Sequence, residues 1–202
     1  MRYFFDVGAN DGFDSLSYAR NNPNDQVFAF EPNPYMIDLL QRRSKDLNNY
    51  EIIPVAVSDY EGNSTFNINK EKQGLCSLLE WGKDAKNLWP QFFLEFHEKI
   101  EVKVITLESF IKEKDIKKID YFHCDTQGSD LRVLKGMGEY IHIIEQGQVE
   151  ATFLDNSLYE NQNTTDETVE YLMKKGFEVL GFDNQVHFDE CNIRFKKFKF
   201  KI

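Results

Sequence analysis

The sequence predicts an α/β chain: a mostly parallel, doubly wound sheet that ends in an antiparallel hairpin. Short apolar runs alternate along it with stretches of helical periodicity. Capping and breaking residues fall between the runs. The last two runs lie too close together for the ~12-residue or longer connection that a parallel crossover requires, so they pair antiparallel.

Tyr3–Val7 is an apolar run interrupted only by Asp6, and a glycine-rich turn follows it. Asp14–Arg20 reads as a helix and Gln26–Phe30 as a second buried strand. Asn33 caps the next helix with Pro34 at its first position, where no backbone N–H is needed. Met36, Leu39, Leu40 and Leu47 fall on one face of that helix. Tyr50–Val57 is a third strand, Glu61-Gly62-Asn63 a turn, and Ser64–Ile68 a short extra strand. Residues 69–100 read as an insertion in which Trp81, Trp89, Phe92, Phe93 and Phe96 mix with charges. Aromatics so spaced point first to a small local core, and second to a lid.

The alternation resumes with Val102–Ile105, a helix through Phe110, and a fourth major strand at Lys118–Cys124. A helix over Asp130–Lys135 is stopped by Gly136, and Ile143–Glu150 is the fifth strand. Thr164-x-x-Glu167 is a capping box opening a helix that buries Val169, Leu172 and Met173 and closes at Gly176. The hairpin is Phe177–Phe182 with Asn192–Phe200.

A chain of 202 residues fits a single domain, 1–202, with 69–100 as its lid or substrate insertion. The formal charge of −10 argues against nucleic acid and anionic membrane as partners, since both need a basic footprint. No run is long and apolar enough for a membrane span. Cys76, Cys124 and Cys191 are odd in number and far apart, the pattern of buried free thiols in a reducing compartment. The apolar stretch at the N-terminus is too short for a signal peptide, so the expected location is cytoplasmic. His97, His142 and His187 show no ligand spacing and read as ordinary residues.

In open α/β sheets, ligands bind beyond the carboxyl ends of the strands. The first strand ends there in Asp6-Val7-Gly8-Ala9-Asn10-Asp11-Gly12, and the second in Glu31-Pro32. Gly8 and Gly12 allow a tight turn, and Glu31 is placed to accept both hydroxyls of a ribose. A pyrophosphate loop needs G-x-G-x-x-G, but Asn10 and Phe13 replace its second and third glycines. Asp6 and Asp11 would also repel phosphate. A cationic nucleoside fits the loop better, and S-adenosylmethionine has a sulfonium, an ammonium and a ribose but no phosphate.

Further segments join these. Phe30-Glu31-Pro32-Asn33-Pro34 is followed by Val55-Ala56-Val57-Ser58-Asp59 with Glu61-Gly62. Thr106-Leu107-Glu108-Ser109-Phe110 and Asp125-Thr126-Gln127-Gly128 come next, then Leu131 and Val133-Leu134-Lys135-Gly136. In order and spacing the sequence resembles the FkbM family of S-adenosylmethionine-dependent methyltransferases over roughly residues 3–150. The resemblance implies a Rossmann-like class I methyltransferase fold and O-methylation of a hydroxyl on a sugar, glycan or polyketide-type small molecule. Two departures stand out. His123 replaces a common family Lys, and the chain begins at the first strand where the family often has an extension. The second assigns enclosure of substrate to residues 69–100.

Methyl transfer to a hydroxyl needs alignment, exclusion of water, and a base or metal near the oxygen. Asp125, at the mouth of the fourth strand, is the leading candidate as base, divalent-metal ligand or partner of the cofactor's ammonium. Glu150 and His123 are the further catalytic candidates. Asp6, Gly8, Asn10, Gly12, Glu31 and Asp125 are expected to bind the cofactor, with Pro32 and Val57 flanking the adenine and Ser58 or Asp59 at its edge. No residue is assigned as a metal ligand with a spacing of its own. Two other readings remain. N-methylation of another substrate class is disfavoured by the charge and by Asn33-Pro34-Tyr35 following the second strand instead of the fourth. A non-catalytic binding module would retain the fold alone.

Overall fold

Apolar side chains on both faces of Tyr3–Val7 (β1) bury it inside a seven-stranded sheet. The structure is a computed structural model that describes residues 1–83, 85–88, 90–153, 158–184 and 190–198. Its further elements are α1 (Phe13–Asn21), β2 (Gln26–Phe30), α2 (Pro34–Ser44), β3 (Tyr50–Ile53), β4 (Ala56–Val57) and β5 (Gly62–Ile68). They continue with α3 (Ala85–Leu88), β6 (Glu98–Ile105), α4 (Leu107–Lys114), β7 (Tyr121–Cys124) and α5 (Asp130–Lys135). The last are β8 (Gln146–Thr152), α6 (Thr165–Lys174), β9 (Phe177–Asn184) and β10 (Glu190–Lys197).

The main sheet runs β3-β2-β1-β7-β8-β10-β9. Its first five strands are parallel, while β10 lies antiparallel between β8 and β9. Alternation along the strands divides the core in two. Phe5, Val7, Phe122 and Val149 face α4, α5 and α6; Phe4, Val27 and Ala29 face α1 and α2. Fully burying a side chain such as Phe5 or Phe122 contributes about 3 kcal/mol. The mostly parallel, doubly wound sheet with its C-terminal antiparallel hairpin is thus present as expected.

Several boundaries differ from the sequence reading. The run Tyr50–Val57 is two strands, because Pro54 has no N–H for a ladder and the Val55 N–H closes a tight turn on the Ile53 carbonyl at 2.9 Å. Beyond that turn β4 pairs with β6 in a second sheet of order β4-β6-β5. Val102–Ile105 is only the last half of β6, which pairs antiparallel with all of β5, so it does not continue the main alternation. The helix after Thr106 runs on to Lys114, since Leu107, Phe110 and Ile111 share a buried face and Glu108 pairs with Lys112 one turn on. Residues Gly138–Ile143 form a 3-10 turn, which moves the start of β8 to Gln146.

The caps follow the sequence closely. The Asn33 side chain accepts the Tyr35 N–H with Pro34 at the first helical position, and Thr164 with Glu167 forms the capping box. Leu172 is buried, but Met173, about 100° further round α6, is 63% exposed. All three cysteines are free and buried. Among the described residues no helix is long and apolar enough to cross a membrane. Trp81 stacks on Phe96 at 4.3 Å and on Tyr159 at 5.1 Å, forming a small core with Leu75, Ala85 and Leu158. The predicted roles of Trp89 and His187, and the end of the last strand at Phe200, lie outside the described residues, as does the side chain of Phe92.

Candidate functional site

A cleft with about 630 Å³ of empty space, its mouth included, opens between the carboxyl ends of β1, β2 and β7 and the smaller sheet. Phe30, Val55, Val57, Phe66 and Leu78 give it apolar walls. Gly8, Asn10, Glu31, Asp125 and Gln127 supply polar atoms. None of its lining residues is a Lys, Arg or His, so nothing in it would offset a phosphate.

The loop after β1 is built by a close backbone approach. The N–H groups of Gly8 and Ala9 both donate to the Phe30 carbonyl at 3.0 Å. Gly8 has φ +85°, and a Cβ there would lie 1.9 Å from the Asp125 carbonyl oxygen. Only glycine meets both demands. Gly12, with φ 72°, stands at the N-cap of α1 against Leu40 and does not line the cleft.

Glu31 is 5% exposed, and each of its oxygens holds one backbone donor. Oε2 accepts the Asn10 N–H at 2.7 Å and Oε1 the Asn33 N–H at 2.7 Å. Each oxygen keeps a second lone pair, so two adjacent hydroxyls of a ligand have acceptors here. Burial pushes the carboxyl up to about 7, against the pull of the two N–H donors. A ligand that donates hydroxyls to the carboxylate would offset that cost.

Asp6 and His123 are direct neighbours in the register of β1 and β7, and Asp6 Oδ1 meets His123 Nδ1 at 2.7 Å. Burial alone would lower the imidazole, but the Asp6 carboxylate outweighs it and holds His123 at about 9. Neither residue lines the cleft: Asp6 sits beneath the loop, and His123 faces a groove shared with Tyr121 and Gln148. Asp11 points outward. It accepts from Arg43 at 2.9 Å in an exposed ion pair, so the loop's second carboxylate does not join the cleft as expected.

Asp125 does line the cleft, and behind it lies Glu150, 1% exposed. Gln127 joins the two, its Nε2 donating to Asp125 Oδ1 at 2.7 Å and to Glu150 Oε2 at 3.2 Å. The Tyr159 hydroxyl has Gln127 Oε1 at 3.0 Å and the Leu75 carbonyl at 3.2 Å as its acceptors. Burial first, then the charge of Asp125, raises Glu150 well above the usual carboxylate range. Glu150 backs Asp125 without reaching the cleft surface.

Pro32 and Val57 line the cleft. Ser58 and Asp59 do not: the Ser58 hydroxyl turns to Asp59 Oδ1 at 3.3 Å, and Asp59 is exposed. The sequence reading missed the opposite wall, made by Gln73, Gly74 and Cys76, and missed Gln127 and Ser129. Asn33 ties that wall to β2, its Nδ2 donating to Gln73 Oε1 at 2.7 Å. A buried Asn after a strand was the available signal, but capping alone accounted for it. Among the described residues, no group of three or more His, Cys, Asp or Glu side chains is arranged to hold a metal ion.

Comparison with known proteins bears on this geometry. The sequence model of the Methyltransferase FkbM domain matches residues 6–179. The 2-O-methyltransferase NoeI of Sinorhizobium fredii is 26% identical over 163 residues, which cover 78% of this chain and 65% of that protein. Methyltransferase sdnD of Sordaria araneosa is 26% identical over 68% of this chain and 61% of its own length. The chain therefore spans a little under two thirds of these curated relatives. Among solved structures, Aeropyrum pernix fibrillarin with natively bound S-adenosyl-L-methionine superposes with a TM-score of 0.53 at 10% identity, covering 96% of this chain and 65% of that one. TrmK of M. capricolum with S-adenosyl-homocysteine gives 0.53 at 12%, covering 98% and 63%. At such identities the likeness establishes the Rossmann-like fold.

Proposed function

This chain belongs to the FkbM methyltransferase family, and from that premise we propose that it is an S-adenosylmethionine-dependent O-methyltransferase acting on a hydroxyl of a sugar, glycan or polyketide-type small molecule. The observation that carries the cofactor assignment is Glu31: a buried carboxylate at the rim of an apolar cleft, with one free lone pair on each oxygen. The donor set fits the cofactor. Glu31 receives the ribose hydroxyls, Gly8 and Asn10 border the amino-acid end, and Pro32 and Val57 flank the base. Asp6, held by His123, supports the loop from below. The carboxylate-rich, lysine-free lining favours a cation over a phosphate ester.

When bound, the cofactor supplies an electrophilic methyl group on a sulfonium. The residues around it do the rest. Asp125 faces the cleft and would take up the proton that the acceptor's hydroxyl gives up, later releasing it to water. Glu150 stands behind it, and Gln127 donates to both carboxyls. We place the acceptor side of this single domain against the described part of 69–100, which gives Gln73, Gly74, Cys76 and Leu78 to the wall. A hydroxyl acceptor is favoured by the relative named as a 2-O-methyltransferase. The net charge of −10 disfavours an RNA acceptor.

Calorimetry with S-adenosylhomocysteine tests the first half: wild-type chain should release heat at micromolar concentration, and silence at high protein concentration would overturn the assignment. Transfer of radiolabelled methyl to a panel of saccharides and polyketide alcohols tests the second half. Asp125→Asn should stop transfer while cofactor-product affinity stays within a few-fold. A parallel loss of affinity would make Asp125 a partner of the cofactor's cationic groups instead of the base.

A further inference from the structure

Ser129 occupies the N-cap of α5, the position at which a serine side chain ordinarily accepts a backbone N–H. Its side chain makes no cap bond. The helix uses only its carbonyl, which accepts from Arg132 and Val133 at 2.9 and 3.1 Å. The residue is 1% exposed, and its Oγ has no hydrogen-bond partner. An unpaired buried hydroxyl is a net cost to the fold, so a chain that keeps one in a ligand cleft keeps it at a loss until a ligand arrives.

Several of the cleft's other polar side chains are already engaged, while Thr126, which also lines it, has an unpaired buried Oγ1 of its own. Gln127 serves Asp125 and Glu150, Gln73 serves Asn33, and Glu31 holds two backbone N–H groups at the rim. Ser129 shares the cleft with the apolar walls of Phe30, Val55 and Val57. A ligand part that suits such walls and one hydroxyl is flat, apolar on its faces and studded with heteroatoms along its edge. That describes a purine. A hydroxyl can donate to a ring nitrogen or accept from an amino group.

We propose that the Ser129 hydroxyl is a recognition contact for the cofactor's adenine, hydrogen-bonding a heteroatom on the edge of the base. The inference rests on the S-adenosylmethionine reading above and adds a residue to it. It concerns the side chain and asks nothing of the helix itself.

Ser129→Ala tests it with two probes and one control, none of which needs the acceptor. Affinity for S-adenosylhomocysteine and for 5′-methylthioadenosine, which lacks the amino-acid end, should both weaken by about three- to tenfold, the value of one buried hydrogen bond. The thermal midpoint of the ligand-free chain should hold or rise, because the variant sheds an unpaired buried hydroxyl. Unchanged affinity for both probes overturns the proposal. So does a fall in ligand-free stability that matches the loss of affinity, since that marks a structural role. Weakening for S-adenosylhomocysteine alone would move the contact to the amino-acid end and overturn the assignment to the base. If wild-type chain binds neither probe, the cofactor reading fails first, a result distinct from equal binding by wild type and variant.

Discussion

His123 Nδ1 lies 2.7 Å from Asp6 Oδ1, across the paired strands β7 and β1 at positions in direct register. The imidazole is held at about 9 against an ordinary value of 6.5, so the pair strengthens the fold fully below pH 6.5. Between 6.5 and about 9 the unfolded chain gives up a proton that the folded chain keeps, and a contribution on the order of 3 kcal/mol fades. Urea midpoints should fall across that window. His123→Ala, which leaves Asp6 buried without its cation, should cost about 3–5 kcal/mol at neutral pH. His123→Lys should restore much of this loss and extend the plateau beyond pH 9. A midpoint unchanged by alanine would contradict the pairing.

Glu31 sets a second pH dependence, of opposite sense, on binding. Its carboxyl titrates at about 7 in the free chain, and ribose hydroxyls favour the charged form. Affinity for S-adenosylhomocysteine should therefore rise with pH up to about 7 and level off above, falling about tenfold for each unit below. Glu31→Gln should lower the plateau and flatten the slope. Calorimetry at several pH values reads both effects.

Gly8→Ala should not yield a normally folded chain. The added Cβ meets the Asp125 carbonyl at 1.9 Å with φ at +85°, and the atom it strikes is backbone, which cannot swing aside. A loss of at least about 3 kcal/mol is expected, seen as a collapsed thermal midpoint or as insoluble protein.

Gln127→Ala should depress methyl transfer by about a hundredfold, because it removes the donor that aims Asp125. Cofactor-product affinity should change much less. Gln127→Glu puts a third carboxyl beside Asp125 and Glu150, so it should also displace the pH profile of turnover, a shift that simple loss of packing would not produce.

The sequence showed the strand ends well. Asp6, Gly8 and Glu31 declare themselves as acids and glycines that interrupt apolar runs, and an interruption costs too much to be accidental. Pro54 was equally visible, yet its effect was missed: an apolar run continues past it, while the missing N–H diverts the chain into another sheet. Asp11 was placed in the cleft on charge alone, although its ion pair with Arg43 turns it to solvent. Gln73, Gln127 and Ser129 left no periodic trace. They are ordinary polar residues whose meaning comes from partners far along the chain, as when Gln127 meets Tyr159 or Gln73 meets Asn33.

The cleft draws one wall from the seven-stranded sheet and the other from the three-stranded sheet and the segment it carries. A ligand seated there would act as mortar between the two walls, adding to the Asn33–Gln73 and Ser77–Gln127 hydrogen bonds that already join them. Its binding energy should accordingly appear as slower amide exchange in β5, β6 and Gln73–Leu75, not only at the residues that touch it. Loading with the cofactor would then set the shape of the acceptor's doorway, and cofactor before acceptor is the order of binding that this construction favours.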